Sequence, residues 1–245
     1  MSKQVTYKIK ENKQIASKVY KMVLEGDTSA ITNSGQFINI LVEGFFLRRP
    51  ISVCDYDQES ITILYKVFGK GTEKMSQLTT ANKLDCLVGL GNGFDYSLAK
   101  SNPVLIGGGV GVPPMYNLAK ELITDGKTPH VVLGFNSKED VFYEEEFKQL
   151  GCQVHITTVD GSYGIKGFVT DALKDLTFNY YFTCGPHPML MALANLEVEG
   201  QLSFEERMGC GFGACMGCSC KTVTGYKRIC KEGPVLLSSE VIKGE

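Results

Sequence analysis

The sequence predicts a β-barrel followed by a doubly wound α/β sheet and then a small cysteine-bearing appendage. Three observations carry this prediction. Residues 1–98 form short β-rich runs separated by Gly, Asp, Asn or Ser, several with apolar and polar residues alternating. From Asn102 the rhythm changes to strand–helix alternation. After Gln201 the chain turns small and Cys/Gly-rich, and five of the nine cysteines lie between Cys210 and Cys230.

Taken in order, strands are expected at residues 5–9, 18–24, 37–42, 51–54, 61–67 and 84–90. Six such segments suggest a small antiparallel barrel. A short helix over residues 72–78 interrupts them, with Thr72 as its N-cap. The apolar strand 104–106 runs into Gly107-Gly108-Gly109-Val110-Gly111, and Pro113 opens a helix that Gly126 ends. Met115, Leu118, Ala119, Leu122 and Ile123 share one face of it. Strand–helix pairs are then expected at 130–134 with 143–150, 153–158 with 168–176, and 180–183 with 188–196, before a last short strand at 234–237. Four units in succession predict a parallel sheet covered on both faces. The expected domains are 1–98, 99–200 and 201–245.

Bulk properties exclude several classes. A net charge of −2 offers nothing to nucleic acid or an anionic membrane. The first residues are polar and strand-like, and glycines and prolines break the most apolar stretch, 103–115. A cytoplasmic location is expected. No G-x-S-x-G elbow or H-E-x-x-H motif is present, and His130, His155 and His187 are scattered, each expected to be structural. The chemistry is therefore expected to belong to bound cofactors.

An odd number of cysteines in a chain of this kind argues against a disulfide framework and for a metal centre. Cys210-x4-Cys215-x2-Cys218-x11-Cys230 follows the plant-type [2Fe–2S] spacing. The intervening residues are mostly small and suit a loop wrapped closely round a cluster. A four-cysteine zinc site is the alternative, although zinc more typically uses two separated CxxC pairs and only Cys215/Cys218 forms one. Cys220 competes as fourth ligand. Its closeness to Cys218 would strain the loop, which favours Cys230. Cys54, Cys86 and Cys152 are expected to be buried apolar residues.

The glycine run at 107–111 joins a strand to a helix start, where backbone donors favour phosphate. It departs from G-x-G-x-x-G, with proline where the last glycine belongs, and alone it is equally a plain tight turn. Cys184-Gly185-Pro186 ends the fourth strand, on the side where such sheets bind ligands.

With Arg49-Pro50-Ile51-Ser52 in the barrel ahead of the glycine run, this order resembles the ferredoxin–NADP reductase flavoprotein superfamily. The resemblance implies a flavin-binding barrel in which Arg49 pairs with the FAD pyrophosphate and Ser52 lies beside the flavin ring. It places Leu64-Tyr65-Lys66 at the flavin border, Lys66 standing where Arg is more usual, and gives Gly71-Thr72 to the pyrophosphate. Gly107, Gly108, Gly109 and Gly111 would serve the nucleotide, and Cys184 would line the nicotinamide pocket as the residue nearest the chemistry. Only Lys138 lies near the second strand's end to meet a 2′-phosphate, which leans towards NAD.

Arg48–Ser52, Gly89-Leu90-Gly91-Asn92-Gly93-Phe94 and Asp160-Gly161-Ser162-Tyr163-Gly164 follow one another in order. So do Glu205-Glu206-Arg207-Met208-Gly209-Cys210-Gly211 and Cys230-Lys231-Glu232-Gly233-Pro234-Val235. Together they are similar to the electron-transfer subunits of dihydroorotate dehydrogenase B across nearly the whole chain. That resemblance implies an oxidoreductase subunit carrying FAD and a [2Fe–2S] cluster and using NAD. Its partner would be an FMN-containing catalytic subunit of pyrimidine biosynthesis, in a heterotetramer of two of each chain. Alternatives are the corresponding subunit of a sulfide dehydrogenase or NADH-dependent ferredoxin–NADP oxidoreductase, and, more remotely, a zinc-stapled binding module.

Overall fold

A computed structural model describes residues 2–243. Six strands make the barrel: β1 (Lys3–Ala16), β2 (Val19–Glu25), β3 (Phe37–Ile40), β4 (Arg49–Tyr56), β5 (Ser60–Lys66) and β6 (Lys83–Leu90). They close in the order β1-β2-β5-β4-β3-β6, every pair antiparallel. Alternation drives the closure: Leu84, Cys86, Val88 and Leu90 of β6 all point inward while their neighbours do not. Inside, Tyr7, Ile9, Met22, Leu24, Ile38, Ile40, Ile61 and Ile63 pack together.

Among the boundaries that differ from expectation, two have a clear physical reason. β1 runs on to Ala16, because its polar second half pairs with β2 beyond a register shift between Ile9 and Glu11. Hydrophobic alternation does not mark such a segment, since backbone pairing alone holds it. The short helix α1 (Lys70–Ser76) starts earlier than predicted, with Gly69 as its N-cap. Thr72 lies inside it, its hydroxyl accepting from the Phe68 N–H at 2.9 Å and donating to the Gly69 carbonyl at 3.1 Å.

The second half alternates as expected: β7 (Pro103–Gly108), α2 (Pro113–Thr124), β8 (His130–Phe135), α3 (Glu144–Gln149), β9 (Gln153–Thr158), β10 (Ile165–Lys166), α4 (Val169–Leu173), β11 (Tyr180–Cys184) and α5 (His187–Ala194). Then come β12 (Gly200–Ser203), the hairpin β13 (Ser219–Thr222) and β14 (Gly225–Arg228), and β15 (Val235–Leu237). The sheet order is β10-β9-β8-β7-β11-β12-β15, parallel except for β15. Leu105, Val131 and Leu133 face α2 and α3. Val104, Ile106 and Val132 face α4 and α5. Strands buried on both faces explain the continuous apolar runs.

The expected division at residue 200 falls at the start of β12. Strands β12 and β15 complete the α/β sheet, so the cysteine-bearing segment leaves that sheet and returns to it. α2 also packs against β4 of the barrel, where Lys120 and Asp55 pair at 2.6 Å. Cys54, Cys86 and Cys152 are buried, as expected. Burial pushes the Cys86 thiol up to about 12 and that of Cys152 to about 11. Among the described residues no helix is long and apolar enough to cross a membrane.

Candidate functional site

β7 lies between β8 and β11, so the chain turns to opposite sides of the sheet on leaving these neighbours, and their carboxyl ends open a crevice there. A cavity of about 790 Å³ occupies that crevice. One wall comes from the barrel through Pro50, Ser52 and Lys66, and another from Gly108, Gly109, Gly111 and Cys184 at the strand ends. The third, Phe204–Glu206 and Met208, leads straight into the cysteine loop. The site thus touches all three expected regions.

On the barrel side, strand alternation sorts the motif. Pro50 and Ser52 line the cavity, whereas Ile51 between them packs against the barrel core. Leu64 and Tyr65 do not reach the cavity. Both are buried, and the Tyr65 hydroxyl donates to Asn12 Oδ1 at 2.9 Å. Lys66 does line it and pairs at 3.5 Å with Asp140 from the loop after β8.

Arg49 does not line the cavity wall itself. Its guanidinium lies 4.8 Å from the centre of the Phe45 ring and donates to the Leu47 carbonyl. Gly71, buried in α1, is pressed against it: a Cβ there falls within 2.7 Å of three guanidinium atoms. Arg49 and Gly71 therefore form one cradle, with a planar fork backed by a glycine, which suits a pyrophosphate. Thr72 adds no free hydroxyl, because its oxygen closes the turn at the start of α1.

The glycine run divides similarly. Gly108, Gly109 and Gly111 face the cavity, and Gly109 adopts φ of 52°. Gly107 instead permits close packing, since a Cβ there meets the Val112 backbone at 2.8 Å. A Cβ on Gly111 falls within 2.6 Å of the Cys184 carbonyl and the Gly185 nitrogen, so the turn before α2 is wedged against the end of β11. Burial pushes the Cys184 thiol up to about 12, with Glu205 adding to the effect. Cys184 therefore presents a neutral thiol to the cavity.

The cysteines assemble in two pairs. The N–H of Cys210 donates to Cys215 Sγ at 3.4 Å, and Cys215 N–H returns the bond to Cys210 Sγ at 3.4 Å. Likewise Cys230 N–H donates to Cys218 Sγ at 3.4 Å. Ala214 N–H adds a bond to Cys210 Sγ at 3.2 Å. Burial opposes ionisation of Cys210, but the backbone N–H groups of Phe212, Cys215 and Ala214 outweigh it and bring the thiol down to about 6. Burial and the adjacent Cys218 sulfur push Cys230 up to about 12. Among the described residues no three such side chains converge on one point. Two sulfur pairs with amides aimed at them fit a two-iron centre better than a single tetrahedral ion. Cys220 lies on β13 opposite Lys227, its thiol 3.6 Å from the Lys221 carbonyl, and belongs to neither pair.

Sequence reasoning gave no site role to Ser203, Phe204, Glu205, Glu206 and Met208, which line the cavity beyond β12. Glu205, Glu206 and Met208 stood out only as part of a motif that carries the family resemblance, and β12, four residues long, carries too little pattern to reveal Ser203. Asn136, Asp140, Gly167 and Phe168, which lie between the strands and α-helices and carry no periodicity, were missed too, as were Val169 and Thr170 in the first turn of α4. The scattered histidines keep away from the cavity lining; His130 and His155 stand with ring centres 5.8 Å apart on neighbouring strands.

Comparison with known proteins adds a separate line. Residues 205–242 match a family model described as the iron–sulfur cluster binding domain of dihydroorotate dehydrogenase B, and residues 105–195 match the oxidoreductase NAD-binding domain. The dihydroorotate dehydrogenase B (NAD(+)) electron transfer subunit of Fusobacterium nucleatum is 44% identical over 250 residues, covering 95% of this chain and 96% of that protein. Its counterpart in Geobacillus sp. (strain WCH70) is 42% identical over 257 residues, covering 99% and 100%. Among solved structures, an NADH-dependent reduced ferredoxin–NADP oxidoreductase superposes with a TM-score of 0.86 at 28% identity, covering 96% of this chain and 89% of that one. An Amycolatopsis cytochrome P450 reductase shares the fold, with a TM-score of 0.70 at 20% identity over 78% of this chain and 64% of its own. The full-length identity to curated relatives, and the cysteine-segment match in particular, settle the family: the chain belongs to the electron transfer subunits of NAD(+)-linked dihydroorotate dehydrogenase B.

Proposed function

We propose that the chain exchanges electrons between NAD(H) and a catalytic partner subunit, holding one FAD and one [2Fe–2S] cluster. The observation that carries this reading is the single cavity lined by Pro50, Ser52 and Lys66, by the glycine run with Cys184, and by the segment running into Cys210. When bound, FAD supplies two-electron exchange with nicotinamide and the cluster supplies one-electron transfer to the partner.

The protein's own residues hold and insulate these groups. Arg49, backed by Gly71, takes the pyrophosphate, while Ser52 and Pro50 meet the flavin ring and Lys66 borders it. Gly108, Gly109 and Gly111 let the nucleotide approach the sheet, and neutral Cys184 faces the nicotinamide. Cys210, Cys215, Cys218 and Cys230 ligate the cluster. The partner is an FMN-containing subunit that oxidises dihydroorotate to orotate, joined in a cytoplasmic heterotetramer of two of each chain. Phe212 and Met216, 50% and 55% exposed on the cysteine loop, suit contact with it.

The structural likeness to an NADH-dependent ferredoxin–NADP oxidoreductase favours a second reading, a subunit of that kind of complex. The higher identity of the curated relatives supports the first. The test is anaerobic purification and a visible spectrum before and after NADH. Flavin and iron–sulfur absorption, both bleached by NADH, is expected. Orotate formation on mixing with the FMN subunit and dihydroorotate separates the two readings, and a colourless, zinc-bearing protein would overturn both.

A further inference from the structure

The barrel reaches the cysteine-bearing segments through two asparagines. Asn92, just beyond β6 in the Gly89–Phe94 motif, makes four hydrogen bonds to one distant stretch of chain. Its backbone N–H donates to the Gly233 carbonyl at 2.7 Å, and its Nδ2 donates to the carbonyls of Glu232 at 3.2 Å and Val235 at 2.8 Å. Its Oδ1 accepts from the Val235 N–H at 3.1 Å. That stretch follows directly on Cys230. Glu232 within it is clamped by Arg228, whose Nη1 also donates to the Gly213 carbonyl, at 2.5 Å, in the first cysteine loop. Asn39, buried on β3, donates from Nδ2 to the Cys210 carbonyl at 3.3 Å. Gly211 (φ 80°) follows it so closely that a Cβ would collide with that same amide.

The flavin side of the cavity is tied to these two residues. Asn39 is the cross-strand partner of Pro50, which lines the cavity. Gly91, beside Asn92, abuts Pro234, which lines it too. Residues 209–218 contain no regular strand or helix, so no ladder sets where they sit on the barrel. Side-chain amides must do it. Both ends of the Asn92 amide are paired, so any shift leaves it unpaired, whereas Asn39 makes one bond, from Nδ2 to the Cys210 carbonyl, and its buried Oδ1 has no partner.

We propose that Asn39 and Asn92 are positioning residues for electron exchange, fixing the two ligand-bearing segments at one distance and orientation from the flavin barrel. They touch neither reacting atoms nor ligand sulfurs and add no chemical step. The inference rests on the reading that Cys210, Cys215, Cys218 and Cys230 hold the cluster.

The test uses the full chain, purified anaerobically with its cofactors, as wild type, Asn92→Ala, Asn92→Asp and Asn39→Ser. Asn92→Asp keeps the volume and the acceptor but turns the donor end into a carboxylate facing two carbonyls. Stopped-flow absorbance follows flavin reduction and cluster reduction by NADH separately, electron paramagnetic resonance reads the reduced cluster, and iron is counted per chain. Outer-shell changes of this kind typically cost about 10–100-fold, and a slowing of that size is expected in cluster reduction, with flavin reduction by NADH unchanged. Partial loss of iron with flavin retained, or a broadened resonance, supports the same placement. Should Asn92→Ala fail to fold, Asn39→Ser, which removes a single bond, carries the test. Cluster reduction and resonance matching wild type in the folded variants, with only the melting temperature lowered, would overturn the proposal and leave the asparagines a purely structural role. A wild-type chain lacking iron–sulfur absorption overturns the underlying reading instead, so the two failures are distinguishable.

Discussion

Replacing Gly71 by alanine separates cofactor affinity from stability. Gly71 is the second residue of α1, buried, and in ordinary helical backbone, so alanine favours the helix by up to about 1 kcal/mol. The added Cβ falls within 2.7 Å of the Arg49 guanidinium, which must swing away. Because that group is the end of a flexible side chain, the cost to the fold is mainly its contact with Phe45, about 0.5–1 kcal/mol. The two effects cancel, and the apo-protein should melt close to wild type. FAD affinity should not survive so well. A charge-assisted hydrogen bond is worth about 1.5–3 kcal/mol. At about 1.4 kcal/mol per factor of ten, losing it weakens Kd by roughly 10–150-fold. The assay is titration of flavin-stripped protein with FAD, followed by flavin fluorescence, beside a thermal melt of the same sample. Arg49→Lys, which keeps the charge but loses the planar fork, should fall between wild type and Gly71→Ala. A Kd for Gly71→Ala within about threefold of wild type, or less than 0.7 kcal/mol on the same scale, would refute the cradle.

Cys230→Ser should abolish iron–sulfur absorption and iron content while flavin remains, whereas Cys220→Ser should leave both intact, as metal analysis and visible spectra will show. Gly111→Ala drives a Cβ into the rigid backbone of Cys184 and Gly185, so it should destabilise by about 1–3 kcal/mol in denaturant melts, unlike the change at Gly71. Burial raises the Glu121 carboxyl above its usual 4.5, and its Oε2 has no hydrogen-bond partner. The folded state therefore binds the proton more tightly than the unfolded one, and ionisation costs stability at neutral pH. Glu121→Gln should raise stability at pH 7, with the advantage fading as the pH falls towards 4.5, and an advantage that grew on acidification would contradict the assignment.

The barrel strands and the alternation of β7 to α5 were legible because each carries a period: two in β6, where Leu84, Cys86, Val88 and Leu90 turn inward, and three to four in α2. The four candidate cluster cysteines stand out in the sequence by their spacing, and the structure brings them together in two pairs. Leu64 and Tyr65, expected at the flavin border, have buried side chains off the cavity lining, because a motif gives an order along the chain but not the face on which each side chain emerges. The start of α1 was missed because glycine caps it, and sequence reasoning looked to Thr72 for a hydroxyl cap.

The sequence by itself determined the fold class and the family and singled out four cysteines as candidate cluster ligands, all readings of local pattern and spacing. Only the tertiary structure decided which residues share the cavity, how Gly71 backs Arg49, and how Asn39 and Asn92 tie the cysteine segments to the barrel. Asn92 and the segment it holds lie 140 residues apart. Contacts at that separation depend on how the barrel and sheet pack together. Their hydrogen bonds link groups that no period in the chain relates, so nothing in the linear pattern marks them.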